Sequence, residues 1–257
     1  MTTHPPLVFL HGLYMNVESW RPWLDRAHAS GFDARAIEWP GHAGAPATLR
    51  ANPSAGLGAL RFADVFEPVR KDIVAKGDNP VLIGHSVGAL MALKLISLGV
   101  GRAAVAVTPA PPRGILPFSP HFWWANLPHT NLLGRDSIVP MSRRRFKYAF
   151  ANTSTRAESD AAYERWVVPE SRNIPYSLLG HQGDVDLAAS GAPRLLIGAE
   201  KDHLTPDALV RQIARAYKRA GAPVEYLHVP GRSHLVCGQA GWEELADQAF
   251  AWADAHR

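Results

Sequence analysis

The stretch VLIGHSVGAL, residues 81–90, changes its periodicity halfway along. Val81, Leu82 and Ile83 form a short apolar run of the kind that makes a buried strand. From Val87 to Leu98 the apolar residues recur at helical spacing, until Gly99 stops them. Between the two patterns stands Ser86, with Gly84 two residues before it and Gly88 two residues after. A turn this tight puts strained backbone angles on Ser86 and lifts its hydroxyl clear of the sheet edge. Side chains at the two flanking positions would run into neighbouring backbone, so glycine is required there. The helix that follows aims its first N–H groups and the positive end of its dipole at the same point. G-x-S-x-G between a strand and a helix marks a nucleophilic serine. Ser86 is expected to be one.

Outward from this turn, strand and helix patterns alternate. Strands are expected at Leu7–Leu10, Ala34–Trp39, Val81–Ile83, Ala103–Val107, Arg194–Ile197 and Val224–Val229. Helices are expected at Val17–Ala29, Leu57–Lys76 (with a kink at Pro68), Val87–Leu98, Pro206–Arg219 and Gly241–His256. A loop rich in Gly, Ala and Pro is expected from 41 to 56. Such alternation predicts an α/β fold with a mainly parallel, about six-stranded sheet and helices on both faces. Residues 111–180 break the pattern. No clear strand is predicted there, yet Phe118, Phe122, Trp123, Trp124, Phe146, Tyr148, Phe150, Tyr163, Trp166 and Tyr176 supply 10 of the 23 aromatic residues. So long a structureless loop is improbable in a compact domain, so a helical insertion is expected, with some aromatics lining a cleft over the sheet.

A serine hydroxyl needs a base within hydrogen-bond reach. Twelve histidines compete. His4, His28 and His256 read as solvated. His121, His129 and His181 belong to the insertion or its exit. His85 adjoins Ser86, but neighbours in a tight turn are expected to point apart. His203 and His228 are less well placed. His234 lies in VPGRSHLV, in the loop after the last strand and before the last helix, and is the candidate. The imidazole in turn needs a carboxylate to fix its tautomer. In LLIGAEKDHLTP, Asp202 sits just beyond a strand, and Thr205-Pro206 is expected to open the next helix as N-cap and first-turn proline. Glu200 is the nearest rival. The order Ser86, Asp202, His234 is the one described for such turns in α/β folds. An oxyanion hole needs two N–H donors. One is expected from Val87. The other should come from the loop HGLYMN, where Gly12 permits close approach: Leu13 first, Tyr14 second. His11 is expected to hold that loop by hydrogen bonds.

The bulk properties exclude several classes. A chain of 257 residues suits one large α/β domain. A net charge of +4, with its densest basic run at Arg143, Arg144, Arg145 and Lys147, reads as a solvated helix face rather than a nucleic-acid site. Cys237 is the single cysteine, which excludes an intrachain disulfide and a cysteine zinc cluster. The N-terminal sequence has no basic region followed by a long apolar one, so no signal peptide is expected. Nor is a membrane span expected, and a cytoplasmic location is the default.

These residues resemble the α/β-hydrolase superfamily, in particular its bacterial serine carboxylesterases with a helical cap. The resemblance rests on His11-Gly12, Pro40-Gly41-His42, Gly84 to Gly88, the Gly198 to Pro206 turn with Asp202, and His234. It implies a core over 1–110 and 181–257 and a cap over 111–180. The first two strands of the full family fold are expected to be missing, leaving six in the order 2-1-3-4-5-6. Haloalkane dehalogenases carry an aspartate at the turn, so the likeness to them is one of fold. The resemblance further implies a serine hydrolase cleaving small to medium apolar carboxylic esters through an acyl-enzyme. A lactonase, thioesterase, acyltransferase or C–C bond hydrolase using the same residues, or a ligand-binding protein of the same fold, stays open. Tyr14, Trp123, Trp124 and Phe146, with Leu13 and Val87, are expected to wall the substrate pocket. The implied partner is a small-molecule ester. No metal or organic cofactor is expected, since the chain lacks H-E-x-x-H, a Walker loop and a G-x-G-x-x-G after a strand.

Overall fold

A computed structural model describes residues 4–116, 119–126 and 136–257. Pro117, Phe118 and His129 lie outside them. The elements begin with β1 (Leu7–Leu10), a 3₁₀ turn (Val17–Trp20), α1 (Arg21–Ala29), β2 (Ala34–Ile37), α2 (Pro46–Ala51) and α3 (Phe62–Lys76). Then come β3 (Val81–His85), α4 (Val87–Ser97), β4 (Ala103–Val107) and α5 (Pro120–Asn126). Next are β5 (Ile138–Val139), α6 (Arg143–Ala149), α7 (Arg156–Trp166), β6 (Glu170–Ser171) and α8 (Asn173–Ser177). The chain closes with β7 (Arg194–Ala199), α9 (Asp207–Arg219), β8 (Val224–Val229) and α10 (Trp242–Ala255).

Six strands pair in parallel in the order β2-β1-β3-β4-β7-β8. This is the expected fold class, and the expected strand order. Strand residues alternate between two cores, because successive side chains leave a strand on opposite faces. Val8, Leu10, Leu82, Ala104, Ala106 and Leu196 pack with α3, α4 and α9. Leu7, Phe9, Val81, Ile83, Val105 and Ile197 pack with α1 and α10. β3 and β4 are buried on both faces, which is why they read as unbroken apolar runs.

Three local readings differ from the sequence expectation. The 41–56 stretch contains α2, opened by Pro46 at its first position. The Leu57–Lys76 helix is a 3₁₀ turn, Leu57–Ala59, followed by α3, which runs unbroken through Pro68. Between β4 and β7 the described residues form the helices α5 to α8 and also an antiparallel pair, β5 with β6. Strands two residues long carry no period for a sequence pattern to reveal, so their pairing is legible only once the chain is folded.

The glycines of the turn do what sterics demands. A Cβ on Gly84 would overlap the backbone of Gly88 and Ala89, and one on Gly88 would overlap the carbonyl oxygens of Leu10 and His11. Backbone cannot yield as a flexible side chain can. Gly88→Ala should therefore cost about 3 kcal/mol of stability through overpacking. For a domain of this size that lowers Tm by roughly 10 °C. A thermal melt within about 2 °C of the parent would mean that β1 and α4 can part without cost.

Candidate active site

Ser86 sits between β3 and α4 with φ 56° and ψ −118°, a left-handed conformation that a non-glycine residue holds only when its surroundings dictate it. Those surroundings are the Gly84–Gly88 contact, the Ser86 N–H donated to Val107 O at 3.0 Å, and the Ser86 carbonyl accepting from Ala110 N at 3.0 Å. Ser86 lies on the wall of a pocket of about 240 Å³.

His234 follows β8 and is completely buried. Its Nδ1 donates to Asp202 Oδ2 at 2.6 Å. Its Nε2 is buried without a hydrogen-bond partner among the described residues. The ring contacts two groups that line the Ser86 pocket: Phe150, with ring centroids 5.1 Å apart, and Thr205, whose hydroxyl is 3.4 Å from Nδ1. Asp202, in the turn after β7, is buried as well. Its Oδ1 accepts from the N–H groups of Leu204 (2.7 Å) and Thr205 (2.8 Å). The Thr205 hydroxyl is shared between Asp202 Oδ2 at 2.9 Å and the Thr108 carbonyl at 3.0 Å. Burial works against the Asp202 charge, but His234 and the Thr205 donors outweigh it and hold the carboxyl below its usual range. Thr205 was expected to cap α9; that position falls instead to Pro206, and Thr205 braces Asp202. Glu200 faces elsewhere. Its oxygens meet Lys201 Nζ at 2.8 Å and Gly231 N–H at 2.8 Å.

His85 has a role that its place in the turn did not suggest. Its ring packs against that of His234 at 4.6 Å, and its Nε2 donates to the His234 carbonyl at 2.9 Å. Burial, together with His234, pushes its pKa down to about 3, so it is neutral throughout the working pH range. It positions the His234 loop without a charge. Nothing in the five-residue pattern specifies this contact, because the loop it grips is 149 residues away.

The loop after β1 comes very close to Ser86. A Cβ on Gly12 would lie 2.9 Å from Ser86 Cβ and 3.0 Å from His85 O. His11 Nδ1 donates to the Gly12 carbonyl at 3.0 Å, the loop-holding role expected of it. Leu13 lines the pocket, and its N–H has no acceptor among the described residues. Val87 N–H opens α4, where no intrahelical acceptor exists. Tyr14, the second choice as donor, is spoken for: its N–H points to Glu170 Oε2 at 3.2 Å.

Of the expected wall residues, Tyr14, Leu13, Val87 and Trp123 line the pocket. Trp124 is exposed and is not among the lining residues. Phe146 is fully buried inside the insertion, stacked on Phe150 at 5.2 Å and edge-on to Tyr163 at 5.9 Å. Unforeseen lining comes from Pro111, Ile115, Phe122, Met141, Phe150 and Leu178, all of them within 111–180. Among the described residues no helix is long and apolar enough to cross a membrane.

The profile of the alpha/beta hydrolase family matches residues 7–248. No protein of curated function matches the sequence. Several solved structures share the fold. A monoacylglycerol lipase from Paleococcus ferrophilus superposes with a TM-score of 0.72 at 18% identity, covering 99% of this chain and 97% of that one. The pyrethroid hydrolase PytH gives 0.72 at 20% identity, with 98% of each chain covered. Tomato methylketone synthase I gives 0.72 at 14% identity, with 99% of each covered. The family profile spans both the strands of the sheet and the loops that carry Ser86, Asp202 and His234, so the chain belongs to the alpha/beta hydrolase family.

Proposed function

We propose that this protein is a serine hydrolase acting on carboxylic esters of small to medium apolar substrates. One observation carries the reading. A serine held in a left-handed turn opens onto an apolar pocket whose wall includes Phe150 and Thr205, and these two contact a buried histidine whose Nδ1 is bound to a buried aspartate and whose Nε2 lacks a partner among the described residues. With its hydrogen fixed on Nδ1, the imidazole keeps a lone pair at Nε2, the arrangement a general base needs.

In this mechanism Ser86 Oγ attacks the ester carbonyl carbon and its proton passes to His234 Nε2. The oxyanion is received by the N–H groups of Leu13 and Val87. The C–O bond then breaks, and His234 returns the proton to the departing alcohol. Water, deprotonated by the same nitrogen, attacks the acyl-enzyme and releases the acid and free Ser86. No hydrogen bond joins Ser86 Oγ to Nε2 in this structure. Catalysis requires the hydroxyl to swing within reach, and such contacts commonly tighten only when substrate binds. The apolar lining around Leu13, Phe122, Phe150 and Leu178 supports an apolar acyl or alcohol group. The pyrethroid hydrolase and the monoacylglycerol lipase among the structural neighbours are named for ester substrates, which agrees with the reading.

The test is hydrolysis of p-nitrophenyl acetate, butyrate and octanoate, together with labelling by an alkyl fluorophosphonate. Turnover of one or more esters is expected, with the phosphonate mass on the peptide carrying Ser86. Absence of turnover across the series, with Ser86 unlabelled, would overturn the proposal.

A further inference from the structure

The insertion reaches into the core at one point that the mechanism above does not use. Tyr14, in the loop after β1, has φ 62°, a strained conformation for an aromatic residue. The segment leading into β6 grips it from both sides. Val168 N–H donates to the Tyr14 carbonyl at 2.9 Å, and the Tyr14 N–H donates to Glu170 Oε2 at 3.2 Å.

Glu170 is itself fully buried and must be neutralised there. His42, equally buried, lies with Nε2 3.1 and 3.2 Å from the two carboxylate oxygens. The other ring nitrogen of His42 is 3.0 Å from the Pro40 carbonyl. The Pro40 carbonyl can only accept, so Nδ1 carries hydrogen, and with Glu170 ionised Nε2 donates as well, which makes His42 an imidazolium. Burial disfavours each charge, yet the pair outweighs it: His42 is held above its ordinary pKa and Glu170 below the usual carboxylate range. The Ser171 N–H also donates to Glu170, at 2.7 Å on Oε1. Asn16 anchors the far side, donating to the His42 and Gly44 carbonyls at 3.1 and 2.8 Å.

We infer that Glu170, supplied by the insertion and paired with His42, is a positioning residue for the oxyanion loop: it fixes Tyr14 N–H and so the adjacent Leu13 N–H beside Ser86. The inference rests on the serine-hydrolase reading above. Its geometry is specific. With Gly12 O tied to His11 and Tyr14 N–H tied to Glu170, the N–H between them is left with no acceptor among the described residues. A donor kept unpaired and fixed in place is what an oxyanion needs, since no reorganisation is then required as charge develops.

Glu170→Gln tests this with almost no change in shape. The carboxylate serves Ser171 N–H with one oxygen and Tyr14 N–H with the other. An amide has one oxygen. It keeps the shorter Ser171 bond and turns its NH₂ toward Tyr14, where that hydrogen can still reach a neutral His42. The fold keeps its partners while Tyr14 N–H loses its acceptor. The expected result is a kcat lower by about tenfold to a hundredfold, as displaced catalytic groups typically give. KM should stay within about threefold, because ground-state binding is untouched. An alkyl trifluoromethyl ketone, whose adduct with Ser86 carries an oxyanion, should lose affinity by the same factor as kcat/KM. Parent kcat in Glu170→Gln, a loss confined to KM, or unchanged ketone affinity would each overturn the inference.

Two controls separate this from failure of the underlying reading. If the parent does not hydrolyse esters, or Ser86→Ala retains turnover, the hydrolase reading falls. The clamp is then judged by NMR. Hydrogen on both His42 nitrogens in the parent, with a shifted Tyr14 amide in Glu170→Gln, supports it; a neutral His42 or an unmoved amide removes it. The His42 measurement uses the parent protein alone, so it decides the matter even if the variant does not fold.

Discussion

Ser86→Ala should lower kcat toward p-nitrophenyl esters by about 10⁴ to 10⁶, with the protein still folded. The effect is large because the proposed mechanism loses its nucleophile and the hydroxyl proton that His234 would carry. What survives is the pocket and the two proposed N–H donors, worth about 10³-fold over water in triad enzymes and far short of the parent rate. Alanine also relieves nothing in the fold. Position 86 keeps φ near 56°, dictated by the Gly84–Gly88 contact, so Tm should move little. Folded Ser86→Ala with more than about a tenth of the parent kcat would exclude Ser86 from the chemistry.

Asp202→Asn should cost about 10⁴ in kcat, for a different reason. Asp202 Oδ1 accepts two backbone N–H groups, from Leu204 and Thr205, which no NH₂ can replace. An asparagine must therefore keep its oxygen there and present its NH₂ to His234 Nδ1. The imidazole then accepts at Nδ1 and carries its hydrogen on Nε2, the wrong tautomer for the base of the proposed mechanism. Geometry survives and function does not. Glu200→Gln, which disturbs only the exposed contacts to Lys201 and Gly231, should stay within about twofold of the parent. A larger loss in Glu200→Gln than in Asp202→Asn would transfer the acid role to Glu200.

The two predictions differ in how far the sequence could support them. Ser86 and its glycines are local: strand period, tight turn and helix period follow one another within ten residues, and sterics ties them together. Asp202 and His234 are placed by strand ends, because a parallel sheet gathers its loops at one edge. Their separation in the chain is 32 residues, yet the topology alone brings them to 2.6 Å.

The sequence by itself determined the α/β sheet, the elbow serine and the candidate acid and base, since each rests on periodicity or on the forced position of a loop after a strand; the strand order followed from the family resemblance. Only the tertiary structure decided what packs against those loops. His85 grips the His234 carbonyl, Phe146 is buried within the insertion while Phe122 and Phe150 line the pocket, and Glu170 crosses 156 residues to hold Tyr14. The reason is physical. Periodicity encodes which face of an element is buried, but a short strand such as Glu170–Ser171 has no period, and a buried charge is identified only by the partner that neutralises it.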